Sequence, residues 1–276
     1  MDMNRMVIVR GGGDMATAVI HRLWRAGFRV LVLETEKPSA IRRQVAVSEA
    51  VYDGSATVEG MTAVRIDAPA ACAKVWAEDK VPLLVDPQGE CIALLRPMAV
   101  IDAMIAKRNL GTYMDMAPLT VALGPGFAAG KDVHAVVETM RGHNLGRIIC
   151  KGAAQPNTGI PGKIGGYAAE RVIHAPCQGV IRGVRAIGDY VEQGETIAVI
   201  THDACDYPVT ASISGLIRGL IRDGYCVPAG FKIADIDPRR EEYDNCFTIS
   251  DKARCIAGSV LELVCAQWAK QNEECR

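Results

Sequence analysis

The chain has 276 residues, 49% hydrophobic and 23% charged, with 31 basic and 32 acidic side chains and a formal net charge of −1. That balance supports a buried core and excludes a disordered chain or a global basic field suited to nucleic acid. No apolar run reaches the roughly 18 residues of a membrane span, the N-terminus lacks a signal-peptide core, and ten cysteines without Cys-x-x-Cys spacing predict reduced thiols in a cytoplasmic, non-membrane protein.

The first predicted element is an apolar strand over Met6–Arg10, followed by Gly11-Gly12-Gly13-Asp14-Met15-Ala16. A helix is expected next, ending at Gly27, and then a second strand over 28–33 with Glu34 at its end. Strand, G-x-G-x-x-A, helix, strand and acid follow each other as in a first dinucleotide-binding βαβ unit. The glycines would let backbone amides approach a phosphate at the helix N-terminus, and Glu34 would accept from ribose hydroxyls. Asp14 works against a pyrophosphate unless it points away, so a sheet of this kind with no dinucleotide fits the same residues. Arg42 and Arg43 read as a solvated helix face or as phosphate contacts.

Strands at 58–66, 81–86 and Leu119–Leu123, with helices at 68–78 and 97–108, extend the pattern to a parallel sheet. Asp86 falls at a strand's C-terminal end, the edge where such sheets bind ligands. The stretch from Gly124 to Asp132 fails as a P-loop, because Pro125 takes the leading glycine position and Asp132 the Ser/Thr position.

A polar cluster comes next: Asp132, His134, Glu138, Arg141, His143 and Arg147, with Asn157 and Thr158 in the glycine- and proline-rich loop 151–166. An anion site at Arg141, His143 and Arg147 and an exposed polar turn both fit. The spacing of His134, Glu138 and His143 matches no standard ligand set, so no metal is assigned.

Residues 175–200 and 211–236 repeat each other, with Gly179/Gly215, Gly183/Gly219, Gly188/Gly224, Val191/Val227, Gly194/Gly230 and Ile200/Ile236 in register. Short strands and tight turns in two such units must pack on each other. The pattern resembles the biotinyl/lipoyl-type barrel-sandwich domain. Ala204 takes the place of the modified lysine, so no carrier function is expected. A C-terminal helix capped by Ser250 presents Ile256, Val260, Leu263 and Val264 to the barrel or to a partner subunit.

The expected organisation is therefore α/β: a Rossmann-like domain at 1–124, a connecting segment at 125–170, a pseudosymmetric barrel-sandwich domain at 171–238 and a helical tail at 239–276. Gly11-Gly-Gly-Asp-Met-Ala16, Ser48-Glu-Ala-Val-Tyr52, Leu123-Gly-Pro-Gly-Phe127, Asp132-Val-His134, Val137-Glu138-Thr139, Arg141-Gly-His143, Asn157-Thr-Gly159, 232–239 and Ile249-Ser-Asp-Lys-Ala-Arg254 together carry a further resemblance. The chain resembles the YqeB family of accessory proteins of the selenium-dependent molybdenum hydroxylase system. The resemblance implies a cytosolic factor that helps mature molybdenum hydroxylases, with a nucleotide or molybdopterin-type cofactor, a client enzyme or other maturation factors as partners, and no catalytic residue to carry over. An NAD(P)-dependent oxidoreductase using His134, Glu138 or His143 as acid/base, and an interaction module without ligand, stay open as alternatives, as does a homo-oligomer.

Overall fold

A computed structural model describes residues 5–159, 162 and 164–274 of the chain; Ile160, Pro161 and Lys163 of the predicted 151–166 loop lie outside the described residues. The chain forms two compact units. Unit 1 comprises Met1–Pro38, Ala46–Thr158 and Ile249–Arg276, and unit 2 comprises Ser39–Val45 and Gly159–Thr248.

Unit 1 opens with β1 (Met6–Arg10), whose five residues are all buried. The helix α1 (Asp14–Arg25) buries Ala16, Thr17, Ala18, Val19, Ile20 and Leu23 on one stripe. It ends where Gly27 takes a left-handed φ of 82°, and β2 (Arg29–Glu34) then runs parallel to β1. After α2 (Ala50–Asp53) come β3 (Ser55–Val58) and β4 (Met61–Ile66), an antiparallel hairpin where one strand was expected. Glu59 and Gly60, both at positive φ, make the two-residue turn.

Next are α3 (Cys72–Ala77), β5 (Val81–Val85), α4 (Cys91–Leu95), β6 (Ala99–Asp102) and β7 (Leu119–Leu123). The short strands β8 (Ala128–Ala129), β9 (Ala135–Val137), β10 (Ile148–Ile149) and β11 (Gly152–Ala153) follow. β8 pairs with β11.

The helix expected at 97–108 is instead β6 and a loop. Ala99–Asp102 is buried throughout, so a short apolar run with no amphipathic period lies inside the sheet. Left-handed φ at Arg96, Ile105 and Lys107 prevents a continuous helix through the flanking residues.

The main sheet has nine strands in the order β10-β9-β7-β6-β1-β2-β5-β4-β3. The inner pairs are parallel, but both margins, β3 against β4 and β10 against β9, are antiparallel. The expected parallel Rossmann-like sheet is thus corrected to a mixed sheet. Its margins turn back because the Glu59-Gly60 turn and the short 138–147 connection leave no length for a crossover helix.

Unit 2 contains β12 (Val172–His174), β13 (Gly179–Gly183), β14 (Tyr190–Val191), β15 (Thr196–His202), β16 (Cys205–Thr210), β17 (Gly215–Leu220), β18 (Cys226–Val227) and β19 (Lys232–Asp237). They form two separate four-stranded antiparallel sheets, β12-β19-β17-β14 and β16-β15-β13-β18, which replace the expected barrel-sandwich arrangement. The sequence repeat is physical nonetheless. A Cβ on Gly179 would collide with the carbonyl oxygen of Thr201, and one on Gly215 with that of Asp237, so the same close approach fixes glycine in both copies. Val191 and Val227, like Ile200 and Ile236, are buried in one shared core.

Arg42 and Arg43 belong to this unit. Arg42 donates to the carbonyls of Asn245 and Thr248 at 3.0 and 3.1 Å, and Arg43 to that of Leu220 at 2.7 Å, so neither is a solvated face.

The last helix, α5 (Asp251–Glu274), returns to unit 1. The Ser250 hydroxyl accepts from the Ala253 amide at 3.2 Å and caps it. Its buried face of Ala253, Ile256, Ala257, Val260 and Val264 packs along α1 and against β7 and β9. No helix among the described residues is long and apolar enough to cross a membrane.

Candidate functional site

The glycine turn sits between the end of β1 and the start of α1. Gly11 has φ 100°, and a Cβ there would stand 3.1 Å from the Cα of Met104, so the turn and the loop after β6 touch through backbone. The Gly12 carbonyl accepts from the Ser48 amide at 2.9 Å, and Thr17 Oγ1 reaches the carbonyls of Gly12 and Gly13. Thr17 Oγ1 also accepts from the Val47 amide at 3.0 Å, which ties residues 47–48 under the turn.

Gly13 is different: nothing lies within 4 Å of where its Cβ would be, and its φ of −67° suits any residue. No side chain on Gly13 caps α1, and among the described residues the amides of Gly13 and Ala16 find no acceptor. The Asp14 carboxylate accepts from the Met15 amide at 2.9 Å.

Glu34, expected to face a ribose, turns back onto the turn. Its Oε2 accepts from the Gly12 amide and its Oε1 from the Thr35 amide, both at 2.7 Å. Burial raises the Glu34 pKa, and the two amides only partly offset it.

Other acids line the same carboxyl-terminal edge of the strands. Asp86 accepts from the amides of Gly89, Glu90 and Cys91 at the start of α4. Burial acts to raise its pKa, but these bonds prevail and hold it low. Asp102, 2% exposed, accepts from Thr112 Oγ1 at 2.6 Å, and Thr112 in turn accepts from Arg10 at 2.6 Å. This buried relay fastens the loop after β6 to the sheet.

The second predicted cluster divides. Asp132 accepts from the Ala128 amide at 2.8 Å and shapes a turn. His134 Nδ1 accepts from the Thr120 amide at 3.0 Å, which leaves the ring proton on Nε2 and locks the residue beside β7. His143, Asn157 and Thr158 are exposed. Arg141 forms a two-pronged ion pair with Asp251, at 2.9 Å on each prong.

Glu138, 3% exposed, accepts from the amides of Thr139 and Met140 at 2.7 Å and from that of Gln155 at 2.8 Å. It lies in the wall of a cleft of about 570 Å³ that also includes Asn144, Arg147, Cys150, Lys151 and Gln155. Among the described residues no group of three His, Cys, Asp or Glu is placed to hold a metal ion.

Sequence reasoning missed Lys252, in the first turn of α5. Burial lowers its pKa, followed by the Arg141 charge, while Asp14, Glu138 and Asp251 pull it upward. The same ammonium therefore feels the acid of the glycine turn and the acid of the cleft. Lys252 falls within the Ile249–Arg254 motif, but on periodicity alone it reads as an exposed first-turn lysine.

No protein-family model matches the chain. It is 50% identical over 260 residues, 94% of its length, to the protein described as uncharacterized protein YqeB of Escherichia coli (strain K12). The YqeB family likeness is thereby shown. The chain spans about half of that relative, 47% of its length.

Solved structures give weaker likenesses. A succinylglutamate desuccinylase/aspartoacylase of Rhodobacter sphaeroides is 13% identical with a TM-score of 0.26, covering 76% of this chain and 58% of that one. An aspartoacylase family protein of Mesorhizobium loti is 11% identical with a TM-score of 0.28, covering 85% of each chain. The ectoine utilization protein EutE (DoeB) of Ruegeria pomeroyi, in its product-bound form, is 11% identical with a TM-score of 0.27, over 84% of this chain and 85% of that one. None of the three bears on the chemistry of this chain.

Proposed function

We propose that unit 1 binds a phosphate-bearing cofactor of the nucleotide or molybdopterin type at the Gly11–Ala16 turn, and that the chain acts as an accessory protein in the maturation of selenium-dependent molybdenum hydroxylases. The maturation role, with a hydroxylase client or another maturation factor as partner, rests on the likeness to the YqeB family. The binding role rests on one observation: α1 begins at a glycine with open space in front of it, and the amides of Gly13 and Ala16 find no acceptor among the described residues. Such an end attracts an anion through its amides and its dipole.

The Glu34 clasp favours one second reading, an interaction module whose turn is closed and carries no ligand. The oxidoreductase alternative has less support, because His134 spends Nδ1 on Thr120 and Glu34 has both oxygens engaged.

The test is to purify the chain from cells that make an active molybdenum hydroxylase, denature it, and analyse the released small molecules for oxidised pterin and for organic phosphate. A stoichiometric phosphorylated pterin or nucleotide supports cofactor binding. Protein that carries neither, yet retains the hydroxylase in pull-down, supports the interaction module.

A further inference from the structure

Apart from Glu138, the cleft of about 570 Å³ in unit 1 is built by one stretch of chain, running from Asn144 and Arg147 through Ile149, Cys150 and Lys151 to Gln155 and its neighbours. That volume suits a small organic ligand. Ile148–Ile149 is the marginal strand β10 of the main sheet, and Gly152–Ala153 is strand β11 of the two-stranded sheet, so Cys150 and Lys151 cross from one sheet to the other. Hydrogen bonds to Glu138 hold the stretch at both ends. The Glu138 amide donates to the Arg147 carbonyl at 3.0 Å, the Gly146 amide to the Glu138 carbonyl at 2.9 Å, and the Gln155 amide to the Glu138 carboxylate at 2.8 Å. Gly146 is seated on α5, where a Cβ would stand 2.7 Å from Cys255 Sγ.

The charges in this cleft do not cancel. Glu138 is the sole acid among the described residues that line it, and its two oxygens are spent on the amides of Thr139, Met140 and Gln155. Arg147 and Lys151 make no side-chain hydrogen bond or ion pair with a described residue, and neither do the carboxamides of Asn144 and Gln155. A guanidinium fork takes two oxygens of a phosphate at once, and a nearby ammonium can take a third. Two unpaired cations beside one engaged carboxylate match a dianion better than a single negative charge.

We infer that the cleft is a binding site for a phosphate monoester of about mononucleotide size. Arg147 and Lys151 hold its phosphate, and Asn144 and Gln155 offer hydrogen bonds to its organic body. Cys150 lines the same cleft with an exposed thiol and reports on its occupancy. The site shares no residue with the Gly11–Ala16 turn and does not depend on a ligand there.

The experiment uses the full chain, with AMP as the probe and adenosine as its uncharged counterpart. Binding is read by calorimetric titration of the wild type and of Arg147→Ala, Lys151→Ala and Gly13→Val. Alkylation of Cys150 by iodoacetamide is followed in parallel by peptide mass spectrometry, with and without each probe. Both cleft side chains are exposed, so their removal should leave the melting transition unchanged. The expected result is that AMP binds the wild type and slows alkylation of Cys150, while adenosine does neither. Arg147→Ala should weaken AMP binding about tenfold or more and Lys151→Ala somewhat less, and Gly13→Val should retain both the binding and the protection. Wild-type Cys150 that AMP leaves unprotected, or that adenosine protects equally, overturns the inference. So does AMP binding that Gly13→Val abolishes and the two cleft variants keep, which assigns the phosphate to the glycine turn alone.

Discussion

The carboxylate of Glu34 accepts a 2.7 Å hydrogen bond from the amide of Gly12, so the last residue of β2 closes on the turn that follows β1. The acid at the end of a second strand is usually read as facing outward to a ligand. Here it also acts inward, as the anion that the turn already holds. A ligand phosphate that needs the Gly12 amide must displace it.

Because burial raises the Glu34 pKa in the folded protein, the folded state keeps its proton to higher pH than the unfolded chain does. The stabilisation from this group is fully present below the unfolded value of about 4.5 and is lost as pH rises through the folded value. Chemical denaturation of wild type and Glu34→Gln across pH 4–8 should therefore show the wild type losing stability relative to the variant as pH rises. A constant difference over that range would refute the assignment.

Neighbouring glycines should respond in opposite ways. A Cβ at Gly12 would lie 2.9 Å from the Ser48 amide nitrogen, whereas one at Gly13 meets nothing within 4 Å. Gly12→Ala should cost about 1–3 kcal/mol, in the range of an overpacked core. Gly13→Val should leave the melting temperature nearly unchanged while removing the space a phosphate would use. Equal destabilisation by the two substitutions, read by thermal melting, would contradict the geometry.

Arg141 and Asp251 are both exposed, so their ion pair should add less than about 1 kcal/mol in a double-mutant cycle. Its larger effect should be on Lys252. Removing the Arg141 charge in Arg141→Gln should raise the Lys252 pKa, and removing the acid in Asp14→Asn should lower it. The pH profile of trace acetylation at Lys252 reads both shifts, and opposite signs are required.

In unit 2, the tip of the β15–β16 hairpin places Asp203 at φ 48° and Ala204 at φ 59°, with His202 paired to Cys205. A turn of this shape favours Asn-Gly, and alanine is strained at the second position. Ala204→Gly should stabilise the unit by about 0.5–1 kcal/mol, measured as a higher melting temperature. A lower one would mean that the tip is not left-handed in solution.

How far the sequence anticipates these features depends on the range of the interactions. The β1–α1–β2 segment and the glycine pair at 179 and 215 rest on local periodicity and turn chemistry, which are visible along the chain. Sheet composition is not local. Whether 55–66 is one strand or a hairpin turns on the φ of Glu59 and Gly60, and Ala99–Asp102 shows no period because both of its faces are buried. Lys252 lay furthest from reach. It lies more than a hundred residues from Glu138 and still further from Asp14, and only tertiary packing, α5 on α1 and on β9, puts it within electrostatic reach of both.

The central claim is that the glycine turn holds a phosphate-bearing cofactor, and native mass spectrometry tests it most directly. The chain and its Gly13→Val variant are purified from cells supplied with molybdate and selenite, and each native mass is compared with the denatured one. A releasable adduct with the mass of a pterin or nucleotide phosphate on the wild type, absent from the variant, is the predicted result. A bare polypeptide in both, or an adduct that Gly13→Val retains, would contradict it.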